Sequence, residues 1–318
     1  MFCLTSHFFV VYIFSSGLKK LDDKFLRSRE VEEMRGKMVF FGVLIALFVC
    51  STTNRYSPTI RFPYLWLDEP GYGGNIDQQN FPEPSGICFH PLRKTLFIVS
   101  DEGEIAEIET NGSPVFRHKI PGDLEGVTVN PQTGLLYVII EGEDIILEFD
   151  PNKKEVTRRF PLNREFDGDP NFIKKQEEGY DNGIESIEFI GDESHPEGGT
   201  FYIGNQWDPP LVIEVFVPLK SSQEKESQAR ILRVLPLSMA DPAAMFFDAK
   251  SGLLNVVSDA DNILVEITLD GKIIREYAFL GDNQEGITRD DEGFLYITQD
   301  MGEYQRGTGG ILKVKDLR

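Results

Sequence analysis

A five-residue phrase recurs along this chain and restricts what it can fold into. Asp-Leu-Glu-Gly-Val stands at 123–127, Gly-Ile-Glu-Ser-Ile at 183–187 and Asn-Gln-Glu-Gly-Ile at 283–287. Looser copies are Glu-Pro-Ser-Gly-Ile at 83–87 and Asp-Pro-Ala-Ala-Met at 241–245. Each copy opens a strand-like run. A unit repeated at intervals of roughly 40 residues or more is the mark of a repeat architecture, in which no single unit buries its own apolar face.

Aligned on the phrase, the units share a layout. A short strand leads to a tight turn (His90-Pro91, Asn130-Pro131, Ser251-Gly252, Glu292-Gly293), and a stronger apolar strand follows. Third strands are expected at 105–109, 145–149, 212–217, 263–269 and 311–314, and fourth strands at 115–120, 156–160, 231–235 and 273–279. Asn111-Gly112 and Asp270-Gly271 supply the turns between third and fourth strands. Four antiparallel strands per unit make a propeller blade. The expected fold is therefore all-β, a five-bladed β-propeller of four-stranded antiparallel blades. The last blade runs out of chain after three strands, and a strand at 59–67 is left over at the other end. Placing that strand outermost in the last blade closes the ring and removes an open edge. Six blades would need a further unit from 163–181 or 217–230; neither stretch carries the repeat, and both read as polar insertions.

In a propeller the first strand of each blade lines the channel and the second runs back beside it. First-strand starts and second-strand ends thus share one face. The first set is Ser85, Glu125, Glu185, Ala243 and Glu285; the second is Asp101, Glu141, Gln206, Asp259 and Asp300. The carboxylates among them, Glu125, Glu185, Glu285, Asp101, Glu141, Asp259 and Asp300, form the candidate metal site. Crowded acids repel, so they take up protons or recruit a cation. Oxygen-only ligands favour Ca²⁺ over a transition metal. The competing uses are solvated turns and acceptance of backbone N–H groups from neighbouring blades. Asp167-Gly-Asp-Pro-Asn171 with Glu178 has the spacing of a calcium loop, but Phe172 stands where glycine is needed. No Gly-x-Ser-x-Gly elbow, paired histidines or Gly-rich phosphate loop occurs, so catalytic residues are not assigned. Trp207 on the same rim is a candidate wall for a small ligand.

The formal charge of −20 opposes nucleic-acid binding, which needs a basic face. It equally opposes a polybasic grip on lipid. Cys88 is the one cysteine of the domain and reads as a small buried hydrophobe, so a disulfide framework is excluded. Residues 1–58 read as a leader and linker ahead of a domain at 59–318. Met34-Arg-Gly-Lys-Met38 is basic, 39–49 is an apolar run of signal-peptide length, and Cys50 follows at once. Translation starting at Met34 or Met38 is the simplest account of the first residues. Lipidation at Cys50, ordinary cleavage and a retained anchor stay open, Val49 being large for a lipoprotein signal. Any of them makes the protein exported.

Pro-Ser-Gly-Ile with Val-Ser-Asp-Glu, then Asp-Leu-Glu-Gly-Val, Val-Ser-Asp, and Gln-Glu-Gly-Ile with Gly-Phe-Leu-Tyr-Ile resemble, in that order, the SdiA-regulated (YjiK/CarP-like) β-propellers of bacteria. The resemblance covers roughly 59–318. It implies a five-bladed propeller in the cell envelope, with a link to calcium; membrane attachment is expected from the leader, through the N-terminus only. Phytase-like and esterase-like propellers are similar. Ser186, where glycine is typical, Ala243 and the insertion at 163–181 depart from the pattern. The expected function is a monomeric binding or sensing module that holds a divalent cation, Ca²⁺, at the acidic rim. The alternatives are a Ca²⁺-dependent hydrolase of phosphoesters, esters or lactones, with a rim carboxylate as general base, and a purely structural scaffold.

Overall fold

The computed structural model describes residues 60–66, 74–174, 183–206, 209–237, 239–281, 283–299 and 310–318, all within the compact unit Pro58–Arg318. The leader, Cys50, Glu178, Trp207 and Asp300 lie outside the described residues. Among the described residues there are strands and turns and no helix.

β1 (Tyr64–Trp66) precedes a meander of β2 (Pro84–His90), β3 (Thr95–Ser100), β4 (Glu104–Glu109) and β5 (Pro114–Lys119). A second meander comprises β6 (Leu124–Val129), β7 (Leu136–Ile140), β8 (Ile145–Asp150) and β9 (Glu155–Asn163). A third comprises β10 (Ile184–Gly191), β11 (Gly199–Asn205), β12 (Leu211–Phe216) and β13 (Ala229–Val234). β14 (Ala244–Asp248), β15 (Leu253–Ser258), β16 (Ile263–Ile267) and β17 (Ile273–Ala278) follow, then β18 (Gln284–Arg289), β19 (Phe294–Gln299) and β20 (Gly310–Asp316). Within each meander all pairings are antiparallel, and the second strands β3, β7 and β15 are almost wholly buried. Gly112 and Gly271 sit at φ +89° and +84° in the turns expected of them, a conformation that glycine adopts without a Cβ clash.

The leftover N-terminal strand joins the sheet β1-β20-β19-β18, in the register Tyr64↔Asp316 to Trp66↔Val314. It is shorter than expected because Pro63 lacks the N–H a ladder needs. Upstream, Arg61 bridges to Ala278, and Phe62 is buried edge-on against Tyr277 and Phe279. One end of the chain thus closes on the other.

The second and third meanders depart from the sequence expectation. They merge into one eight-stranded sheet, because β9 and β13 pair in parallel at Ala229↔Leu162 and Arg230↔Asn163. The two ends of that sheet, β6 and β10, lie against each other, so it curls almost into a barrel. The stretches read as polar insertions help hold the merger. Ile173, Val217 and Leu219 are buried in its core, and Phe166 and Phe172 pack against that core. Arg158 pairs with buried Glu148 and donates to the carbonyls of Leu219 (2.9 Å) and Ser222 (3.2 Å). The first strands of the five meanders touch in cyclic order, β2 to β6 to β10 to β14 to β18 and back to β2.

Candidate metal centre at the channel rim

The recurring phrase folds into a β-bulge. Pairing slips between Pro84 and Ile87 on β2, Leu124 and Val127 on β6, Ile184 and Ser186 on β10, and Gln284 and Gly286 on β18. Ser85, Glu125, Glu185 and Glu285 fall in these slips, out of the ladder, and a bulge re-aims the side chain it carries. β14 begins only after Ala243, which stands in the glutamate's place, and pairs with β15 without a slip. The glycine after the glutamate has its own cause. A Cβ on Gly126 would stand 2.7 Å from the Glu185 carbonyl oxygen, and one on Gly86 2.2 Å from that of Glu125. Neighbouring first strands approach too closely for any side chain there. Together these strands line a narrow axial cavity, through Gly86, Gly126, Ser186, Ala244 and Glu285 among others.

The rim acids come together. Burial pushes the Glu125 carboxyl well above the usual range, and Asp101, Glu185, Asp123 and Glu285 push it further. Glu185 is raised by burial, then by Glu285, Asp241, Glu141 and Asp101. After burial, the leading influences on both are carboxylates. Glu141 lies over the backbone of Gly183, with its Oε1 at 3.0 Å from where a Cβ would stand. Asp259 raises Asp241 and accepts the Gln284 N–H at 3.0 Å. Ser85 donates its hydroxyl to Asp101. One oxygen each of Asp101, Asp123 and Glu125 lies within 4.8 Å of the others, a spacing that suits a hard cation.

Asp123 and Asp241 were absent from the sequence-derived set. Each opens its copy of the recurring phrase, two residues ahead of the bulge position at Glu125 and at Ala243, so the first place of the phrase marks both. A second group lies deeper in the channel. On β6 and β18 the residue three places past the bulge position reaches the next first strand: Phe189 N–H donates to Thr128 Oγ1 (3.1 Å) and Phe89 N–H to Thr288 Oγ1 (3.0 Å). Glu188 fills this place on β10. It accepts Phe247 N–H and the Thr128 hydroxyl, both at 2.9 Å. Burial lifts its pKa to about 7. Cys88, at the same place on β2, is buried as expected; burial and then Glu188 push its thiol well up, so it is a poor nucleophile. His90 is structural: its ring contacts Gly134 O at 3.1 Å, and burial lowers its pKa.

Similar folds are found among solved structures. A chain of a nidogen/laminin complex is 18% identical over 68% of this chain and 72% of its own, with a TM-score of 0.44. A protein of unknown function from Bacteroides caccae is 16% identical over 74% and 78%, with a TM-score of 0.44. Hydrazine synthase of Kuenenia stuttgartiensis is 16% identical over 77% and 66%, with a TM-score of 0.40. No curated protein matches the sequence. The sequence profile of the SdiA-regulated family matches residues 67–301, which span the bulged strands and nearly all of the rim, and the chain belongs to that family of β-propellers.

Proposed function

We propose that the domain is a five-bladed propeller that holds Ca²⁺ at the acidic rim of its channel and serves as a binding or sensing module in the bacterial cell envelope. The blade count is supported by the cyclic contacts of β2, β6, β10, β14 and β18 and by the repeat of the bulge on four of them. The cation reading is carried by one observation: oxygens of Asp101, Asp123 and Glu125 gather within 4.8 Å of one another. Glu185 and Glu285 add negative charge beside Glu125. Several part-buried carboxylates this close do not all stay ionised without a counter-charge. Carboxylate and hydroxyl oxygens with no nitrogen or sulfur suit Ca²⁺. Export and anchoring rest on the apolar run at 39–49 and on Cys50.

Calorimetric titration of Ca²⁺ into metal-stripped protein tests this. Saturable binding is expected, weakened at least tenfold in a Glu125→Gln/Glu285→Gln double variant. Absent binding, or binding unchanged in that variant, removes the rim site.

A further inference from the structure

Next to the Asp101–Asp123–Glu125 group, the rim carries a set of oxygens that this group does not use. Glu185, in the bulge of β10, is only 8% exposed, and its Oε2 has no hydrogen-bond partner. Asp241, in the segment leading to β14, accepts the Ala260 N–H at Oδ2 (3.2 Å), while its Oδ1 has no partner. Gln206, just past β11, donates its backbone N–H to Gly183 O (2.9 Å), and its Oε1 is likewise unpartnered. Asp241 lies within side-chain hydrogen-bonding reach of both Glu185 and Gln206. Three neighbouring side chains therefore each carry a buried acceptor oxygen without a partner.

The scaffold around them is tight. Ser186 donates its hydroxyl to Pro242 O, tying β10 to the segment that carries Asp241. A Cβ on Gly204 would stand 2.2 Å from Ser186 Oγ and 2.3 Å from Pro242 O, so β11 also presses on this tie. Asp241 itself sits at φ +48°, a conformation that costs a non-glycine residue and is kept where surroundings impose it. The fourth meander, which has no glutamate at position 243, thus presents a carboxylate from two residues earlier.

A proton shared between Glu185 Oε2 and Asp241 Oδ1 satisfies those two oxygens and leaves the Gln206 amide oxygen without a partner. A divalent cation satisfies all three and balances both carboxylates. We propose that Glu185, Asp241 and Gln206 form a second divalent-cation site on the rim, separate from the one around Asp123 and Glu125. The inference rests on the cation-binding reading above, but on different ligands.

Equilibrium dialysis of the full chain against Ca²⁺, with elemental analysis, counts the ions. Two per chain are expected in the wild type. Asp241→Asn and Glu125→Gln should each retain one, and the double variant none. If Asp241→Asn does not fold, Gln206→Leu gives the same readout, with Ca²⁺ affinity at one of two sites falling at least tenfold. One ion in the wild type, lost with Glu125→Gln and kept with Asp241→Asn, overturns the second site and leaves the proposed function standing. Two ions unaffected by Asp241→Asn or by Gln206→Leu also overturn it. One ion lost with Asp241→Asn but kept with Glu125→Gln supports this site and removes the other. No ion in the wild type overturns both.

Discussion

Glu188 shows what the channel does to a carboxyl group below the rim. It sits on β10, bonded by a backbone N–H from β14 and a hydroxyl from β6, and burial still lifts its pKa to about 7. The unfolded chain releases that proton near pH 4.5, so between about 4.5 and 7 the folded chain holds a proton the unfolded chain has lost. The resulting stability is complete below the unfolded pKa and disappears as pH rises through 7. Glu188→Gln, which keeps the shape and the acceptor, should therefore gain about 2–3 kcal/mol relative to wild type between pH 5 and pH 8. Denaturant unfolding in chelator at the two pH values measures it; equal pH dependence in both proteins contradicts the assignment. Legibility differed sharply among such residues. Glu125, Glu185 and Glu285 were visible because the repeat names them. Glu188 was not: its equivalents Cys88, Thr128 and Thr288 include no other acid. Asp241 opens its copy of the phrase, but only the third place of each copy was taken as facing the rim.

At the scale of strands, the phrase encodes a bulge and a close approach. Gly126→Ala places a Cβ 2.7 Å from the Glu185 carbonyl oxygen and 2.8 Å from Ile187 N, both backbone atoms that cannot swing away. The expected loss is about 1–3 kcal/mol, as for other overpacked sites, with weaker Ca²⁺ binding because Glu125 and Glu185 are pushed apart. Gly252→Ala is the control, having nothing within 4 Å of its Cβ and only its positive φ to disturb. It should lose roughly 1 kcal/mol and keep binding. Equal losses by chemical unfolding, with binding intact in both, would show that the glycine spaces nothing. The strands, their turns and the closing segment were legible from alternation and from turn chemistry. The parallel contact of β9 with β13 was not. It depends on Ile173, Val217 and Leu219 folding back from stretches that carry no repeat, and a lone apolar residue in a polar stretch does not announce where it packs.

For the whole molecule, the cyclic arrangement turns a scattered set of acids into one concentrated charge. Glu125 and Glu285 are far apart in sequence, yet Glu285 helps raise the Glu125 carboxyl because β2 alone separates their strands. The fold class followed from the repeat, since repeated meanders must share a core and an all-around contact removes their edges. The chemistry followed less far: the repeat says which residues meet, while the cation site proposed here depends on oxygens that meet only in three dimensions. Anomalous scattering from crystals soaked in a calcium-mimicking lanthanide addresses that directly. A peak enclosed by Asp101, Asp123 and Glu125 is the result predicted here; an ordered, fully occupied protein with no peak at the rim at saturating ion would contradict it.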